Sequence, residues 1–220
     1  MKIQSYSFIN AEKYAVLKEW PPVLTEYLLL QKKYAEIMDY EDLAFDYTEM
    51  TAIGQLSAAA AICGWSTLCE FQHYKQSKTD ARKDASGRAD LYLAYKKDRK
   101  FRDFFCEAKF KRLVLSHELS RKEWQQILRP VQNQAKLDTR RTCNVRKSRN
   151  HRGIAISFIS IYLKNQHVHN QTCLRNSLFD YIKNNPPRIH GAAVSFLETP
   201  IESWYNNSKI SGSALSLEKV

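Results

Sequence analysis

The sequence predicts an α/β protein with a central mixed β-sheet flanked by helices on both faces. Three observations carry that expectation. Helix-period and strand-period apolar patterns follow one another in the order helices, three strands, helix, strand, helix, strand. One run, Gly153 to Leu163, is almost continuously apolar and β-branched, as a strand buried on both faces must be. With 220 residues, 44% hydrophobic and 26% charged, the chain suits one domain with a sizeable core rather than a disordered polymer.

The elements follow in order. Pro21 and Pro22 punctuate the start of a first helix, from about Pro22 to Ile37, and a second runs from about Asp42 to Ile62 and stops at Gly64. Within the second, Ile53, Leu56, Ala60 and Cys63 recur at helical spacing, and Glu49 lies four residues before Ile53 on the same stripe. An acid is therefore expected on the inward side. Ser66 to Tyr74 reads as a strand, and Lys75 to Gly87 as a polar loop. Arg88 to Tyr95 and Phe101 to Phe110 enclose the polar stretch Lys96 to Lys100, a hairpin pattern whose turn lacks the tight Asn-Gly pair. Ser120 and Glu123 stand at capping-box spacing before Trp124, Ile127, Leu128 and Val131, so a helix should run from about Arg121 to Arg141, with Pro130 kinking or dividing it. After the buried strand come a short helix, Cys173 to Lys183, and a strand, Gly191 to Leu197. The closing stretch, rich in Ser, Asn and Gly, reads as a frayed tail. The resulting division is an N-terminal helical extension over 1–40, a core over 41–200 and a tail over 201–220.

Charge is unevenly spread. The 34 Lys and Arg exceed the 23 Asp and Glu by 11, but residues 1–70 carry net −5, residues 71–150 net +13 and residues 151–220 net +3. The basic middle third would attract a polyanion, nucleic acid before an anionic membrane. No stretch approaches the roughly 18 consecutive apolar residues of a membrane span, and Met1 to Trp20 has no signal-peptide pattern. Cys63, Cys69, Cys106, Cys143 and Cys173, an odd number without close pairs, read as reduced thiols. The expected setting is cytoplasmic, bacterial or phage-like.

The residues that carry chemistry are Asp90, followed by Glu107-Ala108-Lys109. An acid-x-lysine tripeptide is cheap, and Asp98-Arg99-Lys100 in the turn is a decoy. Glu107 and Lys109 differ in that they interrupt an apolar strand, where alternation sets them on one face and Cys106, Ala108 and Phe110 on the other. A turn centred between Asp98 and Arg99 pairs residue i with residue 197 − i and so puts Asp90 opposite Glu107. Two carboxylates at that separation, roughly 5 Å between Cβ atoms, call for a proton or a cation between them. The Asp90, Glu107, Lys109 triplet, with Glu49 upstream on a helix, resembles the PD-(D/E)XK nuclease superfamily and its restriction-endonuclease-like fold over roughly Asp46 to Leu197. Ala89 stands where the namesake pattern has proline.

The resemblance implies a Mg2+-dependent nuclease, Mn2+ being a substitute, that hydrolyses DNA phosphodiesters, more as an endonuclease than an exonuclease. Asp90, Glu107 and the Ala108 carbonyl would ligate the ion, Lys109 would orient or deprotonate the attacking water, and Glu49 would bind a second ion or hold Lys109. Arg88, Lys136, Arg140, Arg141, Arg146, Lys147, Arg149 and Arg152 suit phosphate contacts. Gln132 and Gln134 lie on the next helix, where the resemblance would place a polar residue facing the site, but read first as a solvated helix face. A homodimer would suit cutting both strands of a symmetric site. The alternatives are an ordinary cross-strand charge network, or an inactive nucleic-acid-binding or assembly module on the same fold. His117-Glu118 lacks the second histidine of a zincin helix, and neither a phosphate-binding Gly-Lys-Ser/Thr loop nor a dinucleotide glycine fingerprint is present, which argues against a nucleotide cofactor.

Overall fold

The continuously apolar run becomes the middle of one sheet. The computed structural model describes residues 3–9, 14–80, 83–144, 152–164, 171–184, 189–202 and 208–220. Its elements are β1 (Ile3–Ile9), α1 (Pro21–Ile37), α2 (Glu49–Ile62), β2 (Ser66–Gln76), β3 (Asp84–Lys97), β4 (Lys100–Leu115), α3 (Arg121–Cys143), β5 (Arg152–Lys164), α4 (Gln171–Lys183), β6 (Gly191–Glu202) and β7 (Ser208–Lys219), with short 3-10 turns at Ala15–Leu17 and Ala44–Asp46. The seven strands lie in the order β1-β6-β7-β5-β4-β3-β2. Every neighbouring pair is antiparallel except β4 and β5, which run parallel through α3. The chain is thus α/β with a mixed sheet.

Alternation along β5 explains why it reads as apolar throughout. Ile154, Ile156 and Phe158 join the core under α1 and α2, while Ile159, Ile161 and Leu163 join the core under α3 and α4. On β4, Phe104, Cys106, Ala108 and the half-buried Phe110 turn to the α1/α2 side, and Leu113 and Leu115 to the α3/α4 side. Glu107 and Lys109 share the parity of Leu113 and so face α3. No helix among the described residues is long and apolar enough to cross a membrane.

The closing stretch is not a tail. β7 lies in the interior of the sheet between β6 and β5, with Ile210, Leu215 and Leu217 buried. Its small residues are a packing requirement: a Cβ built on Gly212 would overlap the Ser195 carbonyl oxygen, and the Ser213 hydroxyl lies 3.0 Å from that of Ser195. Composition that mimics a loop here lets two backbones close. The N-terminal extension is not purely helical either, since β1 forms an edge of the sheet by pairing with β6 from Ile3↔Leu197 to Ile9↔Gly191.

Two turns also differ from expectation. Asp98 and Arg99 both adopt positive φ, 50° and 60°, inside a two-residue turn closed by Lys97↔Lys100. The hairpin is thus tight without Asn-Gly, and the decoy acid-x-lysine is its turn. α3 runs unbroken through Pro130, whose exposed position lets solvent take the carbonyl left without a donor. The capping box at its start is complete: Ser120 accepts from the Glu123 N–H, and Glu123 accepts from the Ser120 N–H at 2.8 Å.

Candidate active site

The β3–β4 ladder follows the 197 − i register from Lys97↔Lys100 as far as Leu91↔Cys106, and its recorded pairs end there. The next pair would be Asp90 and Glu107. On the other side of β3, the β2–β3 ladder skips Glu70 and Asp90, and Glu70 has a positive φ of 46°. Asp90 thus sits where both ladders flanking its strand are interrupted. β4 keeps its other edge, pairing with β5 from Phe104 to Leu115.

Carboxylates replace the missing strand. The Ala108 N–H donates to Asp90 Oδ2 at 2.7 Å, and the Phe110 N–H donates to Glu49. Backbone donors at a strand edge must be satisfied, and here two side chains do it, which brings both acids to β4. Glu49 arrives on the first turn of α2, whose start is anchored twice. Thr48 caps it by accepting from the Thr51 N–H, and Arg112, stacked over Phe110 at 5.4 Å, donates to the Tyr47 carbonyl while Tyr162 donates to Asp46.

On the α3 side, Glu107 is only 2% exposed. Its Oε1 receives Lys75 Nζ at 2.7 Å and the Thr142 hydroxyl. Burial, then the Asp90 charge, push the Glu107 carboxyl up, against the opposing pull of Lys75 and Thr142. Lys109 Nζ reaches Asp138 Oδ2 at 3.3 Å and donates to the Ala108 carbonyl at 2.8 Å. Burial works against its charge, but Glu49, Asp138 and Asp90 outweigh it and the ammonium is held above its usual range. The Asp138 carboxyl is lowered: burial raises it, but hydrogen bonding from Gln134 and the Lys109 charge prevail. Burial raises Glu49, partly offset by Lys109.

The expected quartet Glu49, Asp90, Glu107 and Lys109 therefore gathers beside β4, where its ladder with β3 ends. Lys75 and Asp138 belong to it as well, and neither was singled out by sequence reasoning. Lys75 belongs to no local motif, and Asp138 hides in a basic run. Gln132 departs from a solvated face: it is buried, and its Oε1 has no partner among the described residues. Gln134 is exposed and serves Asp138 at 3.1 Å.

The expected phosphate contacts divide. Arg140 is exposed. Arg88 is 68% exposed and pairs with Glu70 at 3.2 Å. Arg152 opens β5, half-buried. Lys136 and Arg141 are engaged within the fold: Lys136 pairs with Glu218, and Arg141 donates to the Gln76 carbonyl at 3.1 and 3.0 Å and pairs with Asp138 at 3.6 Å. Arg146, Lys147 and Arg149 lie outside the described residues.

Two observations bear on the chemistry the cluster can support. Among the described residues no three His, Cys, Asp or Glu side chains form a metal-holding group, so the donors to weigh are the two carboxylates of Asp90 and Glu107 with the Ala108 carbonyl. These are hard oxygens, the chemistry that Mg2+ selects. Burial pushes the nearby Cys143 thiol up to about 12 and Cys106 well above its usual value, so neither is a thiolate nucleophile near neutral pH. Comparison with protein-family models, with curated proteins and with solved structures finds no match to this chain.

Proposed function

We propose that this cluster is the active site of a Mg2+-dependent nuclease acting on DNA, with the restriction-endonuclease-like arrangement that its residue pattern resembles. The observation that carries the reading is the end of the β3–β4 ladder at Leu91↔Cys106, beside which Asp90, Glu107, Lys109 and Glu49 lie together at a strand edge. A surface charge network would not bury Glu107 or replace ladder hydrogen bonds with carboxylates.

Asp90 and Glu107 would hold the divalent cation, which when bound polarises a phosphodiester and lowers the pKa of a coordinated water. Lys109 acts as a cation, not as a base. Its raised pKa keeps it protonated, and Asp138 and the Ala108 carbonyl fix its ammonium where it can offset charge developing on a phosphoryl oxygen. Glu49 sets the local field that keeps Lys109 charged. Asp138 positions Lys109 from α3, and Gln134 holds Asp138. Arg140 and Arg88 supply exposed positive charge for a phosphate backbone.

The test is nicking of supercoiled plasmid with Mg2+ and with EDTA, by wild type and by Lys109→Ala. The reading requires cutting that EDTA abolishes and that Lys109→Ala lowers by about a thousandfold while salt-sensitive DNA binding persists. Equal residual nicking by both proteins with binding intact would leave an inactive binding module on the same fold.

A further inference from the structure

Lys75 reaches Glu107 from two strands away. It pairs with Ala85 on β3, while Glu107 belongs to β4, on the far side of β3. Its side chain lies against Gly87: a Cβ on Gly87 would stand 3.3 Å from Lys75 Cδ and 3.5 Å from Cγ. Gly87 is not in the left-handed region, so the backbone does not ask for glycine. What the position needs is room for a lysine stem. The Lys75 side chain ends 16% exposed, and an ammonium so placed is costly without a partner. Glu107 is that partner. Lys75 and Thr142 both meet the same oxygen, Oε1, so the clamp spares Oε2 for a further ligand.

We propose that Lys75 is a resident counter-ion of the acidic cluster, which orients Glu107 through Oε1 and sets by its charge how tightly Asp90 and Glu107 take a divalent cation. The proposal rests on the reading of the cluster as a cation-dependent site. A fixed positive charge beside two carboxylates repels an incoming dication, so its removal strengthens binding; damage to the fold would weaken it. The sign separates a counter-ion from a merely structural lysine. Thr142 supplies a control, since it holds the same oxygen without charge.

The experiment is calorimetric titration of Mn2+ into the full chain at pH 8, with wild type, Lys75→Gln, Gly87→Val and Thr142→Val. Lys75→Gln keeps a donor and loses the charge; Gly87→Val keeps the charge and crowds the stem away from Glu107. Both should bind Mn2+ about tenfold more tightly than wild type, and Thr142→Val should not. Wild-type affinity or weaker binding in Lys75→Gln overturns the proposal, and if that protein does not fold, Gly87→Val decides on the same criterion. Mg2+-dependent plasmid cutting by wild type alongside unchanged Mn2+ affinity would overturn the counter-ion and leave the nuclease standing. Absence of Mn2+ binding in every protein would overturn both.

Discussion

The two halves of the sheet solve the same problem differently. From β5 through β7 to β6 the strands bury apolar side chains on both faces, and small residues such as Gly212 and Ser213 let their backbones close. From β4 to β2 the sheet is interrupted at Asp90, and carboxylates occupy backbone donors that a neighbouring strand would otherwise take. The contrast teaches where binding chemistry can be afforded in a sheet: at the edge of a strand whose opposite edge is fully paired, as β4 is to β5. A site opened in the apolar half would have to break a ladder that the core depends on.

Substitutions can break that comparison. The largest effect belongs to Asp90→Asn, which still accepts the Ala108 N–H but removes a charge facing Glu107. Plasmid cutting should fall about a thousandfold, while the melting temperature holds or rises because like-charge repulsion is relieved. In the other half, Gly212→Val should cost about 3 kcal/mol in urea unfolding, because the added side chain overlaps β6. If Asp90→Asn unfolds the protein, or Gly212→Val does not destabilise it, the division of labour fails. Arg140 and Arg141 sharpen it further. Arg140→Ala should weaken DNA binding about fivefold and reduce the salt slope by about one, whereas Arg141→Ala, which loses the Gln76 carbonyl, should lower stability with the salt slope kept. The smallest effect is expected at Ser120→Ala, a loss of about 1 kcal/mol with cutting unchanged.

That cap also carries a pH signature. Hydrogen bonds from Ser120 hold the Glu123 carboxyl down to about 2. A depressed carboxyl contributes stability that is present above its ordinary value and lost as pH falls through the folded one. Thermal melts of wild type from pH 6 to pH 2 should therefore decline more steeply than those of Ser120→Ala.

Much of this was legible in local pattern. The period of β5, the capping box of α3 and the Asp98-Arg99 turn centre follow from neighbours in sequence, and the turn centre alone sets Asp90 opposite Glu107. β7 was hidden because Ser and Gly signal loops unless a second backbone approaches, and that backbone, at Ser195, comes from another strand. Lys75 was hidden for a similar reason: what makes it part of the site is a glycine twelve residues on and a carboxylate two strands away. Glu49 was readable as an inward acid, but its bond to the Phe110 N–H depends on where the β3–β4 ladder stops. Contacts within one element or one turn could be reasoned from spacing. Those made between elements needed the sheet to be assembled.

The place of β7 has a consequence for how the molecule assembles. During vectorial synthesis β2, β3 and β4 emerge in sequence and can pair as neighbours, β3 with β4 through a two-residue turn and β2 with β3 through the short segment 77–83, so the polar half has low contact order. β5 follows with apolar side chains on both faces, yet its second partner is the last strand of the seven to appear. In that interval β5 has one edge unpaired, and such an edge recruits other chains as readily as its own. Refolding yield should therefore fall with protein concentration, and the aggregation-prone species should carry a formed β3–β4 hairpin.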